Sequence, residues 1–195
     1  MEILAAIIGA IVGAFISGTV GWKYQQKQFD QNNNRQKELF LSGLVDDLVH
    51  SSEIYKRLAE NWEAHKMISV VILNELIDAR QFYNNNRTYL ILIEDAELRN
   101  NIAEYFRKSA IDIDLLKANE AQADNIQQQF NAMVTNALLA NQELTRDQAR
   151  ELVHRAAPQY ANDFGKADEV RLAKLPAIER YRGISANLAE RLKEQ

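Results

Sequence analysis

The sequence predicts an all-α protein: one N-terminal transmembrane helix followed by a soluble helical bundle with long helices. Three observations carry this. The 195 residues include only two prolines and seven glycines, and four of those glycines (Gly9, Gly13, Gly18, Gly21) lie in the first segment. An all-β domain built on Gly43, Gly165 and Gly183 alone would lack the residues that its turns demand. Apolar residues then recur at three- and four-residue steps over long stretches, the period of a helix face. Finally, the 20 residues from Ile3 to Trp22 contain no charge.

That uncharged run makes about 30 Å of helix at roughly 1.5 Å per residue, the thickness of a bilayer core. It ends in Trp22, Lys23 and Tyr24, an interfacial belt with a snorkelling cation. A cleaved signal peptide is the competing reading. Against it, the segment before the run is Met1-Glu2 without Lys or Arg, and the apolar stretch exceeds the usual signal core. Lys23, Lys27, Arg35 and Lys37 follow the span, so the positive-inside rule places the C-terminal domain on the cytoplasmic side of the inner (plasma) membrane, with a periplasmic domain as the alternative. Small residues also recur every fourth position in two adjacent rows, Ala5, Gly9, Gly13, Ser17, Gly21 and Ala6, Ala10, Ala14, Gly18. Each row lies on one helix face and lets a second backbone approach closely, which is a main route to association in lipid. The competing reading is that Ala and Gly are simply common in spanning helices.

Four segments follow: an anchor over 1–24, a polar juxtamembrane stalk over 25–38, a helical bundle domain over 39–157 and a C-terminal helical segment over 158–195. The stalk is rich in amides, with Asn32-Asn33-Asn34 its weakest helical point. From Leu39 to Trp62 the stripe Leu41, Leu48, Tyr55, Trp62 repeats every seventh residue, Leu44 and Leu58 fill the seam, and Ser51 sits between them. That is an amphipathic helix of about six turns, too short to demand a supercoil. Residues 67–83 hold a β-branched run but keep helical spacing through Leu73, Leu76 and Ile77, and read as a buried helix ended by Asn84-Asn85-Asn86. Thr88–Ile93 is ambiguous between strand and helix, and its helical surroundings favour helix. Glu94 and Asp95 place acids at the start of a long helix to about residue 140, whose amide-rich part, Glu120–Gln129, reads as exposed. Thr145 with Gln148 makes a capping box for a helix ending before Pro158. Gln159–Gly165 reads as a loop, and two last helices lie around Pro176, the second interrupted by Gly183.

Chemistry is sparse. A net charge of −4 gives no electrostatic argument for nucleic acid. The absence of cysteine excludes disulfides, zinc-thiolate sites and thiol nucleophiles. Of three histidines, His50 and His154 each follow an acid by three residues (Asp47, Glu151), the spacing used in di-iron bundles. However, one acid is Asp, the buried position Leu48 turns Asp47 away from the core, and no further inward acid completes a ligand set. Solvated surface pairs are the preferred reading. His65 reads as a helix end, and Asp112-x-Asp114 lacks the rest of a calcium loop. Phosphate-loop, nucleophile-elbow and zincin motifs are all missing. No catalytic, cofactor-binding or metal residue is predicted, and the chain is expected not to be an enzyme. Residues 166–195 carry seven Lys/Arg against five Asp/Glu, read as a solvated face rather than a lipid-binding tail.

The anchor, the stripe of Leu41, Leu48, Tyr55 and Leu58, and the segment DAELRNNIAEYFRK at 95–108 together resemble small prokaryotic single-span, membrane-anchored helical proteins. The resemblance implies an all-helical fold and no activity; some such proteins sit beside anti-phage systems. The expected function is a membrane-tethered scaffold or interaction protein that self-associates partly through its anchor. Its expected partners are the lipid bilayer and a second copy or membrane-complex partner, with no nucleic acid, small-molecule substrate or cofactor. The alternatives are an oligomeric membrane-disrupting effector and an accessory subunit of a larger membrane complex.

Overall fold

In a computed structural model the chain is all-α. It describes residues 26–28 and 31–195 in full, and gives the other positions of the first helix from Glu2 onward only as helix. The elements are α1 (Glu2–His65), α2 (Val70–Asp78), α3 (Gln81–Asn86), a 3₁₀ turn (Arg87–Leu92), α4 (Ala96–Ala140), α5 (Arg146–Ala156) and α6 (Gln159–Lys193). Two compact units divide at Gly43 and Leu44. The expected anchor, with its rows Ala5, Gly9, Gly13, Ser17, Gly21 and Ala6, Ala10, Ala14, Gly18, lies outside the described residues. Among the described residues no helix is long and apolar enough to cross a membrane. In the first unit, the described side chains of the stalk up to Arg35 are exposed.

The second unit, Leu44–Gln195, is a bundle. Leu44, Leu48, Tyr55 and Leu58 are buried, while Leu41, which precedes this unit, and Trp62 are half-buried. Spacings of three and four residues put the buried set on one face of α1. The helix stops at Lys66, whose φ of 53° is left-handed and whose N–H donates to the Trp62 carbonyl at 2.8 Å, an αL termination without the usual glycine. Ser69 then caps α2, accepting from the Ile72 N–H at 3.5 Å.

Helix α4 runs antiparallel to α6, and the pairing is written in charge. Asp95 accepts from Arg191 at 3.0 Å, Asp112 from Lys174 at 2.7 Å, and Glu120 from Arg171 at 2.7 Å. Every acid of this ladder is on α4 or its N-cap and every base on α6, so a slipped or parallel arrangement would leave them unmatched. Asp95 also caps α4, accepting from the N–H groups of Glu97 and Leu98 at 2.8 and 3.0 Å. Helix α1 is antiparallel to α6 as well: the Ser52 hydroxyl donates to the Arg182 carbonyl at 3.3 Å, and the last turn of α1 lies against Leu175 and Pro176. Beyond that level α4 continues as an arm, paired with α6 as far as Gln129, whose Oε1 accepts from the Tyr160 hydroxyl in the first turn of α6, and with α5 further out. From Leu116 to Ala140 it extends about 35 Å at roughly 1.5 Å per residue. Helix α5 folds back on the arm, and Phe130, Val134, Ala149 and Val153 form a small core there.

Several expectations change. The helix expected over 67–83 breaks at Ala79-Arg80, and Asn84-Asn85-Asn86, expected as a break, belongs to α3. The cause is Asp47, whose Oδ2 accepts the Tyr83 N–H at 3.1 Å and so starts a new helix from outside. Thr88–Leu92 lies in the 3₁₀ turn rather than an α-helix. Gln159–Gly165 is helix, not loop: Pro158 has φ −63° and ψ −17° and pre-forms the first turn, where its missing N–H costs nothing. The two helices expected around Pro176 are one, α6, with that proline inside it and no interruption at Gly183. Residues 158–195 lie in the compact unit Leu44–Gln195. In the stretch Glu120–Gln129, expected to be exposed, Glu120, Ala123 and Ile126 are buried.

Candidate functional site

The bundle interior is not uniformly apolar. At one level the described core holds Ser51 and Tyr55 from α1, Arg80 from the α2–α3 junction, Tyr105 and Ser109 from α4, and Ser185 from α6, all buried. The Tyr55 hydroxyl has Ser109 and Tyr105 as hydrogen-bonding neighbours, and the Tyr105 hydroxyl has Ser51 and Ser185. Burial pushes both phenols up, Tyr55 well above its ordinary value, so both are neutral donors at physiological pH. Tyr181 closes the aromatic side, its ring 5.9 Å from Tyr55 and 6.1 Å from Tyr105.

Arg80 is the unusual member of this layer. It is 7% exposed, and its Nε is a buried polar atom without a hydrogen-bond partner. A terminal nitrogen lies 4.0 Å from Asp114, a carboxylate with 69% of its side chain exposed. A buried guanidinium normally has close, hydrogen-bonded compensation; here the paired acid is distant and solvated, and the neutral phenols of Tyr55 and Tyr105 lie within electrostatic reach.

The acids of the α4–α6 ladder are firmly held. Burial tends to raise the Asp112 carboxyl, but the hydrogen bonds from Lys174 and Tyr181 outweigh it and keep it below the usual range. Burial and the bond to Asp112 push the Tyr181 phenol up to about 12. Asp95 is held low, first by the Leu98 N–H. Glu120 is 5% exposed and meets Arg171 in a fork, Nε to Oε1 and Nη2 to Oε2, both at 2.7 Å. Arg171 also donates to Asp168 at 2.6 Å. The Glu120 bond, more than the others, holds the guanidinium above its ordinary value.

Between α4 and α6 runs a groove of about 570 Å³. Asn101, Tyr105 and Lys108 line it from α4, and Arg180, Ile184, Asn187 and Arg191 from α6. Gly183 is on its rim, and a Cβ added there would meet nothing within 4 Å. Packing within this chain therefore does not call for a glycine at that position, although mid-helix glycine costs about 1 kcal/mol relative to alanine. The arm also exposes apolar side chains, among them Leu139 at 72% and Leu152 at 51%.

The residues singled out in sequence fall as follows. The packing stripe of α1 brings Tyr55 into the polar layer and leaves the others in or beside the apolar core. Asp47, expected to point away from the core, is half-buried because it caps α3, and His50 beside it is exposed. Glu151 pairs with Arg155 on the same helix, and His154 lies with its ring centroid 4.8 Å from that of Phe130. Among the described residues no group of three or more potential ligands could hold a metal ion. Arg80 belongs to no sequence motif, although its spacing from Leu73 and Leu76 places it on the buried face. No protein-family model, curated protein or solved structure matches the chain.

Proposed function

We propose that this chain is a non-enzymatic, membrane-tethered helical scaffold or interaction protein. Its bundle carries the interaction surfaces, and its anchor promotes self-association. The observation that supports the reading best is the arm of α4, α5 and α6, which reaches past the end of α1 and presents Leu139 of α4 and Leu152 of α5 to solvent. An arm with so small a core of its own adds reach and surface to the bundle. The open α4–α6 groove with its sterically unneeded glycine adds a second surface of the same kind. Tethering would raise the effective concentration of such surfaces, so that contacts of modest strength suffice. The small-residue rows of the anchor supply the expected self-association.

Chemical crosslinking of the full chain in detergent tests this. Oligomers are expected for the wild type, and their loss for Gly9→Leu/Gly13→Leu. Oligomers that survive the double substitution would remove the anchor from the mechanism. A wild-type chain that stays monomeric yet co-purifies with other membrane proteins would instead mark it as an accessory subunit.

A further inference from the structure

Residues 81–92 pass from α2 to α4 without burying a side chain, in α3 or in the 3₁₀ turn. The residues at their two ends, Arg80 and Ile93, are buried. Helix α3 is six residues long and has no side-chain cap of its own. Its acceptor comes from another helix: Asp47 Oδ2 on α1 takes the Tyr83 N–H at 3.1 Å. The Tyr83 ring stacks on Phe106 of α4, centroids 3.9 Å apart and planes 7° from parallel. One residue of the segment is thus fastened to two helices, right beside the buried layer that contains the incompletely compensated Arg80.

We propose that residues 81–92 form a strap latched by the Asp47 carboxyl, closed when that carboxyl is neutral and loosened when it ionises, with loosening giving solvent access to the layer around Arg80. A neutral carboxyl keeps an oxygen for the Tyr83 N–H and carries no charge out of water. An ionised one makes a stronger bond but must be desolvated to make it. The charged and titratable groups around the latch are Asp46 and His50 on α1 and Tyr83 on the strap, with Arg87 beside the Tyr83 phenol; α4 contributes the uncharged Phe106 ring. Burial pushes the Asp47 carboxyl up to about 6, outweighing the downward pull of the Tyr83 N–H and of His50. A value raised in the closed state means that protons favour closure. The stabilisation is complete below the open-state value near 4 and is lost as pH rises through about 6. Between pH 5 and pH 8 the opening equilibrium grows about tenfold.

Hydrogen exchange of the full chain at pH 5 and pH 8, corrected for intrinsic rates, tests this. Peptides spanning 81–92 are compared with peptides from α5 (Arg146–Ala156) in the same molecule. The wild-type strap is expected to lose about tenfold in protection relative to α5 at the higher pH, with a midpoint near 6. Asp47→Asn, which keeps an acceptor and cannot ionise, is expected to give pH-independent protection. Equal wild-type protection at both pH values would overturn the proposal, as would an undiminished pH effect in Asp47→Asn. Should that variant fail to fold, the wild-type profile relative to α5 decides alone.

Discussion

At the scale of single residues, the bundle contains two positions where local preference loses to context. Lys66 holds the left-handed conformation that ends α1, with φ 53°. A side chain with a Cβ is strained there by about 1 kcal/mol, and glycine is not. Lys66→Gly is therefore expected to stabilise the bundle by about 0.5–1 kcal/mol, read as a higher denaturant midpoint at unchanged slope. A lower midpoint would mean that the lysine side chain contributes something the geometry does not reveal. Arg80 is the second case, a buried cation with an unpartnered Nε and a solvated acid 4.0 Å away. Both residues show what a sequence conceals. The end of α1 was legible from the stripe that stops at Trp62, but nothing in Ala64-His65-Lys66-Met67 names the αL residue. Arg80 lay on the right face by spacing; its charge argued against reading it as interior.

At the scale of elements, helix boundaries were legible where the signal is local and lost where the cause is distant. The Thr145 and Gln148 capping box is written in adjacent residues and is present, and of the acids Glu94 and Asp95 that mark the start of α4, Asp95 is its N-cap. The break between α2 and α3 depends on Asp47, 36 positions before the Tyr83 N–H that it binds, and no local pattern encodes it. Pro176 was read as a break because proline removes one helix hydrogen bond and crowds the preceding turn. The helix continues because Arg171 and Lys174 before it and Tyr181 after it are pinned to acids of α4. The Glu120–Arg171 fork should show the asymmetry of buried pairs. Glu120→Ala leaves a largely buried guanidinium with Asp168 as its remaining partner and is expected to cost about 3 kcal/mol. Replacing both partners in Glu120→Leu/Arg171→Leu is expected to recover most of that loss, since well-packed apolar residues often replace such pairs at little cost. Urea titrations of the two variants check it. Equal destabilisation by both would show that the fork itself supplies net stability.

At the scale of the whole molecule, an all-α architecture with long helices was legible because composition and periodicity agree over most of the chain. The path of the arm was not, because the face that α4 offers to α6 beyond Leu116 is built from Glu120, Ala123 and Ile126 among amides, a weak apolar signal. The same ladder that aligns the arm sets the acid limb of the stability curve. Asp95 and Asp112 are both held below the ordinary carboxylate range. A depressed value in the folded state contributes stability that is present above pH 4 and is lost as pH falls through the folded-state values. Thermal unfolding of the wild type is expected to drop steeply below about pH 4, and Asp112→Asn is expected to flatten that limb. An unchanged limb in Asp112→Asn would assign acid sensitivity to other carboxylates.

The proposed scaffold acts at a membrane only if its N-terminal helix spans the bilayer. Alkaline carbonate washing of vesicles that contain the full chain tests this most directly. A chain held by a spanning helix is expected to stay in the membrane pellet after the wash. Release of intact chain into the supernatant would contradict the account.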